Sequence, residues 1–327
     1  MRTQAVLFTA ANQIELAEVE LPELQPDDVL IRTEHSFIST GTERWTLEGR
    51  MATRSGGFAF PVVPGYQKVG RVEQVGERVS SVTPGQRVFM TRGRVESATP
   101  AWGGHMMHAL FATSEVYALP DELPSDVAAG LVVVQVGWNT GQRPRLESGD
   151  LAVVVGDGII GQFTAQVLRA RGAEVCLAGR RPMRLDLGSR WSADRLLDVS
   201  TTGLREAVDA ACGRPADVIV ETVCQPEDTP TYVDLLRPRG QLVIAAYHPD
   251  SNLVDLAPVQ DKQITIHSTG GWQRDNLEAT MAAIVAGSLH VEPLITHRVP
   301  WREAAAAYER LVRDKTEDSL GIVIDWS

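Results

Sequence analysis

The feature that most constrains this chain is a run of apolar residues, Leu151 to Val155, followed at once by Gly156-Asp157-Gly158-Ile159-Ile160-Gly161. A strand apolar at every position is one covered on both faces, as in a parallel sheet. The next stretch, Ile159 to Arg171, places Ile160, Phe163, Thr164, Val167 and Leu168 at helical spacing, and Gly172 ends it. In a G-x-G-x-x-G so placed, the first glycine permits the tight turn, the second lets the backbone approach a pyrophosphate, and the third lets helix pack on strand. Gly156, Gly158, Ile159, Ile160 and Gly161 are therefore expected to bind a dinucleotide, with free N–H groups at the helix start facing its phosphates.

From about Leu146 the rhythm is strand, helix, strand. Ala173 to Ala178, Asp217 to Glu221, Gln241 to Ala246 and Gln263 to His267 are strand-like runs separated by helical segments, the mark of parallel βαβ units. Before that, from Met1 to about Leu119, short apolar runs (Gln4 to Phe8, Asp28 to Thr33, Gly70 to Val75, Gln86 to Met90) are cut by turn pairs such as Pro64-Gly65 and Pro84-Gly85, which reads as β-rich. After Gly271 come a helix carrying Leu277, Met281 and Ile284, a second helix through Ala304 to Val312, and a last strand, Gly321 to Asp325. At 327 residues the chain exceeds the ~100–200 of one domain, so two are expected; the tail is too short to fold alone and should rejoin the first.

The end of the second strand bears on which dinucleotide binds. An acid there accepts the ribose 2′-OH of NAD and repels a 2′-phosphate. Here stand Gly179-Arg180-Arg181: glycine leaves room, and the arginines can pair with phosphate through planar, charge-assisted hydrogen bonds, with Arg184 adding a contact on the adenosine side. The expectation is NADP(H); the alternative is a pair of solvated arginines at a helix start.

A formal charge of -11 opposes nucleic acid and anionic lipid as main partners, leaving a small-molecule substrate. Cys176, Cys212 and Cys224 are scattered and odd in number, which fits a reducing compartment. No apolar run approaches the ~18 residues of a membrane span, so a cytoplasmic protein is expected.

With the glycine motif, four further segments carry a family resemblance: Pro64-Gly65-Tyr66-Gln67-Lys68-Val69-Gly70, Gly85-Gln86-Arg87-Val88, Trp102-Gly103-Gly104, and Pro293-Leu294-Ile295-Thr296-His297-Arg298. The whole chain resembles the medium-chain dehydrogenase/reductase superfamily. Through Ile38-Ser39-Thr40-Gly41-Thr42-Glu43-Arg44 it is similar to the branch containing bacteriochlorophyllide a dehydrogenase. The resemblance implies an α/β architecture, with a GroES-like β-rich catalytic domain over 1–123 and 268–327 and a Rossmann domain, a doubly wound parallel sheet, over 124–267. It also implies Thr222, Val223 and Cys224 near the nicotinamide ribose, Tyr247 and His248 beside it, and Gly271 in a segment returning toward the nicotinamide.

Zinc members of the superfamily carry a cysteine after an early strand, then Gly-His-Glu, and a third ligand at the start of the Rossmann half. The matching positions hold Ser39 (or Thr40, with a one-residue shift), Tyr66-Gln67, and Gln135 as the one polar residue in Val132 to Val136. Zinc wants thiolate, imidazole or carboxylate, so no metal is expected. His105 and His108 read as structural, since that spacing on a strand points them to opposite faces. Charge left on a reduced oxygen must then be met by hydrogen-bond donors and a general acid. Tyr66 is the first candidate because it replaces a metal ligand. Ser39, Thr40 and Thr42 are expected as a hydroxyl relay, with Glu43 orienting it or taking up a proton; each also has a purely local reading as a turn cap or pocket lining. The expected reaction interconverts a carbonyl and a secondary alcohol. Reduction of an enone or quinone, and a non-catalytic NADPH-binding structural or sensor role, are the other readings. The resemblance also implies a homodimer through the Rossmann sheet edge, which Gln263 to His267 can supply.

Overall fold

The computed structural model describes residues 1–52, 58–100, 102–247 and 254–327. It divides into two units, Met1–Val132 with Ile295–Ser327, and Val133–Leu294. Residues 268–294 thus pack with the second unit, whereas the sequence reading joined them to the first. The reason lies in three local ties: the Thr140 and Thr269 hydroxyls meet at 3.1 Å, the Gln166 amide bonds the His290 backbone at 2.7 and 3.1 Å, and the helix Arg274–Val285 buries Leu277 and Met281.

The first unit is β-rich. Gln13–Glu20, Arg2–Ala10, Val62–Val63 and Thr99–Pro100 form one sheet in that order. A second sheet runs Ile295–Pro300, Gly321–Asp325, Asp28–Phe37, Lys68–Val75, Arg87–Met90 and Val116–Ala118, with His108–Ala112 also paired to Asp28–Phe37. The tail from Ile295 therefore supplies two strands to a sheet begun at Asp28. One core gathers Val29, Ile31, Val72, Val88 and Met90; another gathers Phe8, Leu47, Val62, Tyr308, Ile324 and Trp326.

The second unit is a doubly wound sheet of parallel strands in the order Arg195–Asp198, Glu174–Gly179, Leu151–Val155, Ala216–Glu221, Leu236–Ile244 and Thr265–Ser268. Leu151–Val155 is buried throughout, and its alternate residues feed two cores. Leu151, Val153 and Val155 pack on one face, Ala152 and Val154 on the other. Cys176 and Cys212, far apart in sequence, bring their free thiols to 3.3 Å. The winding reverses between Leu151–Val155 and Ala216–Glu221, and the crevice beyond the carboxyl ends of such strands is where open sheets bind ligands. Among the described residues, no helix is long and apolar enough to cross a membrane.

Candidate functional site

In the second unit, the glycine loop occupies that crevice. Gly156 has φ +118°, and a Cβ there would fall 2.2 Å from Thr222 Oγ1; a Cβ at Gly161 would fall 1.9 Å from the Gly156 carbonyl oxygen. Both glycines are demanded by the protein's own packing. Gly158 is different, because a Cβ there meets nothing within 4 Å and its φ is -71°. The protein's own packing does not need a glycine at 158, which leaves open space over the loop there. Gly158 caps the helix Ile159–Ala170 with no side-chain hydrogen bond, so Ile159, Ile160 and Gly161 stand in a first turn whose N–H groups lack a side-chain cap.

The loop after Ala216–Glu221 is shaped from within. Thr222 donates its hydroxyl to the Val155 carbonyl at 2.8 Å and so seals the glycine turn. The buried Glu221 carboxylate accepts the N–H groups of Val223 and Cys224 at 2.6 and 2.5 Å, with Cys224 at φ +56°. Thr222 and Cys224 thus shape the loop, while Val223 turns its side chain out, 37% exposed. Tyr247 is exposed, Gly271 has φ +65° with open space around it, and His248 lies outside the described residues.

At the end of Glu174–Gly179 the space beside Gly179 is already taken. A Cβ at 179 would fall 2.4 Å from Asp157 Oδ2, so the glycine makes room for Asp157 rather than for a phosphate. Arg180 and Arg181 are exposed, whereas Arg184 is partly buried with Nη1 3.6 Å from Asp157 Oδ1.

In the first unit, the expected hydroxyls do gather. The Tyr66 phenol donates to Ser39 Oγ at 2.6 Å and also hydrogen-bonds with the Thr42 side chain. Tyr66 is 7% exposed, its ring set edge-on to Trp102. Burial pushes its pKa well above the ordinary tyrosine value, and the nearby Glu43 charge adds to this against the opposing hydroxyl bonds. The group is a persistent phenol. Thr40, by contrast, opens the helix Thr40–Leu47, so Ser39 is the hydroxyl that meets Tyr66.

Glu43 does not face the relay with its carboxylate. At 1% exposure it accepts the Ser39 N–H at 2.7 Å, lies 2.9 Å from His105 Nε2, and takes the Tyr308 hydroxyl. It holds the Ser39 backbone in place. His105 continues the chain, with Nδ1 at 2.8 Å from Ser36 Oγ, which also accepts the Trp326 indole N–H at 2.8 Å. Gly65, at φ +84°, lies so close that its Cβ would be 2.5 Å from His105 Nε2. Nothing in the sequence spacing joins Ser36, Tyr308 and Trp326 to His105 and Glu43, because the bonded pairs lie far apart along the chain.

A family model described as "Alcohol dehydrogenase GroES-like domain" matches residues 25–122, and one described as "Zinc-binding dehydrogenase" matches 160–286. The chain is a medium-chain dehydrogenase/reductase. Its first unit is the GroES-like domain of that superfamily and its second the Rossmann domain. It is 26% identical to 2-desacetyl-2-hydroxyethyl bacteriochlorophyllide A dehydrogenase of Cereibacter sphaeroides, over 100% of this chain and 99% of that one. It is 27% identical to (R,R)-butanediol dehydrogenase of Neisseria gonorrhoeae over 82% of each. Among solved structures, a short chain alcohol dehydrogenase of Escherichia coli CFT073 complexed with NADH superposes with TM-score 0.86 at 20% identity, covering 99% of both chains.

At the positions that the resemblance matches to the superfamily's zinc ligands, this medium-chain dehydrogenase/reductase has a serine hydroxyl bonded to a phenol. Gln67 is fully buried, its amide oxygen accepting the Val132 N–H at 3.0 Å and its nitrogen donating to the Phe37 carbonyl at 3.4 Å. Gln135 is fully buried, and its amide has no hydrogen-bond partner among the described residues. Neutral hydroxyls and amides are poor zinc donors, so this donor set does not fit the ion.

Beside Gln67 lies a further buried group. Lys68 is fully buried, donates Nζ to the Arg92 carbonyl at 2.9 Å, and has its pKa pushed down by burial from 10.5 to about 7. Between those values the unfolded lysine carries a proton that the folded one lacks, so stability rises with pH across that window and is lowest below it. Replacing Lys68 by Met is expected to stabilise the protein near pH 7 by on the order of 1 kcal/mol or more and to flatten this dependence in denaturant melts at several pH values. The glycines make a second, paired prediction. Gly161→Ala is expected to cost about 1–3 kcal/mol of stability through overpacking. Gly158→Ala is expected to keep the wild-type melting curve and lose dinucleotide binding by titration.

Proposed function

We propose that this protein is a zinc-independent oxidoreductase that binds NADPH on its Rossmann unit and interconverts a carbonyl with a secondary alcohol. The observation that carries the reading is the buried Tyr66–Ser39 hydroxyl pair, standing where related enzymes hold a metal. Relatives named as dehydrogenases of a hydroxyethyl pigment and of butanediol support an alcohol or ketone substrate. The nicotinamide, when bound, supplies the hydride. Tyr66 donates a hydrogen bond to Ser39 Oγ and keeps its proton, which leaves the serine's own O–H to donate a hydrogen bond to the substrate oxygen as negative charge develops there, the proton that completes the alcohol coming from solvent. Thr42 steadies the phenol, and Glu43, clamped by His105 and Tyr308, fixes the serine backbone. The exposed Arg180 and Arg181 favour a 2′-phosphate. A panel of ketones, enones and quinones with NADPH tests the reaction: Tyr66→Phe is expected to lower ketone turnover about 100-fold or more while leaving NADPH binding unchanged. Full turnover in that variant, or no turnover of any panel member by the wild type, would overturn the assignment.

The edge strand Thr265–Ser268 leaves its outer backbone groups unpaired by any described strand and exposes Ile266, which supports a homodimer formed across that edge. Light scattering is expected to return twice the mass of one chain, and a monomer would contradict it.

A further inference from the structure

We propose that Asp157, inside the glycine loop, is a cofactor-specificity residue that stands in space for the acid missing from the end of the second Rossmann strand and restrains the site's preference for a 2′-phosphate. The proposal rests on the dinucleotide reading above.

Three observations carry it. The first is position: an ideal Cβ on Gly179 would lie 2.4 Å from Asp157 Oδ2 and 2.5 Å from its Cβ, so the Asp157 side chain fills the volume that a residue at 179 would use. An acid at the end of that strand is the one that accepts the ribose 2′-OH and repels a 2′-phosphate. Here a carboxylate from the neighbouring strand's loop sits against that same strand end, where the Cβ of such an acid would be.

The second is hydrogen bonding. Oδ2 accepts the consecutive N–H groups of Arg180 and Arg181 at 2.8 and 2.9 Å. Successive backbone N–H groups of this kind make a cradle for an anion, and this cradle already holds one belonging to the protein. The carboxylate therefore also fixes the turn from which both guanidinium groups project.

The third is charge. Arg184 Nη1 lies 3.6 Å from Oδ1, and the Gln162 amide holds the segment from below by donating to the Arg184 carbonyl at 2.9 Å and the Asp157 carbonyl at 3.4 Å. One of the three arginines is thus committed to Asp157, and any phosphate drawn in by Arg180 and Arg181 must sit near a fixed negative charge. Like charges brought together in this way cost affinity.

Asp157→Asn keeps an acceptor oxygen for the two N–H groups and removes the charge; Asp157→Ser removes the charge and shortens the anchor. Dissociation constants for NADPH and NADH, read by nicotinamide fluorescence, and for 2′,5′-ADP by calorimetry, are compared with wild type. Asp157→Asn is expected to shift the NADPH-to-NADH preference about tenfold or more toward NADPH and to tighten 2′,5′-ADP in parallel. Asp157→Ser is expected to shift the ratio in the same sense with both cofactors held more weakly. A ratio within about twofold of wild type in both variants, or a shift toward NADH, overturns the role of Asp157 while leaving the dinucleotide site standing. A wild-type protein that binds neither cofactor overturns both.

Discussion

A carboxylate taken out of water must find hydrogen-bond donors or a counter-charge, and in this protein that requirement shapes each functional loop. Glu43 finds the Ser39 N–H, His105 and Tyr308; Asp157 finds the N–H groups of Arg180 and Arg181 and the charge of Arg184; Glu221 finds the N–H groups of Val223 and Cys224. In each case the backbone being held belongs to a stretch that bears the candidate chemistry. The acids act through the loops they organise.

The same logic separates side chains that present chemistry from those that support it. Ser39 and Tyr66 meet each other through their hydroxyls, whereas Gln67 is spent on the backbone of Val132 and Phe37. Thr222 likewise spends its hydroxyl on Val155. A polar residue at a family position is therefore not by itself a sign of function, because burial obliges it to bond whatever backbone is nearest. Gln135, buried with its amide unpartnered among the described residues, is the exception that this accounting exposes.

Much of the Rossmann unit was legible because its signals are local. The apolar run Leu151–Val155, the glycine spacing and the helical period after it all fall within some twenty consecutive residues, and they announce a parallel sheet whose strand order only the fold supplies. The cluster of Ser39, Thr42 and Tyr66 was expected from resemblance to a family in which the positions of Ser39 and Tyr66 match metal ligands, with Thr42 beside them. What could not be read was the carboxylate at Gly179. Sequence logic saw a missing acid at the strand end, and only the superposition of two loops shows Asp157 there.

The chain's residues alone determined the alternation of strands and helices, the glycine turn and the sign of the charges near the adenosine end, since each depends on neighbours along the chain. Tertiary structure decided which unit residues 268–294 join, which hydroxyl faces Tyr66, and that His105, Tyr308 and Trp326 converge on the Glu43–Ser36 network. Those outcomes depend on contacts between segments up to 290 residues apart, whose pairing is selected by burial and hydrogen-bond satisfaction in the folded state rather than by any local pattern.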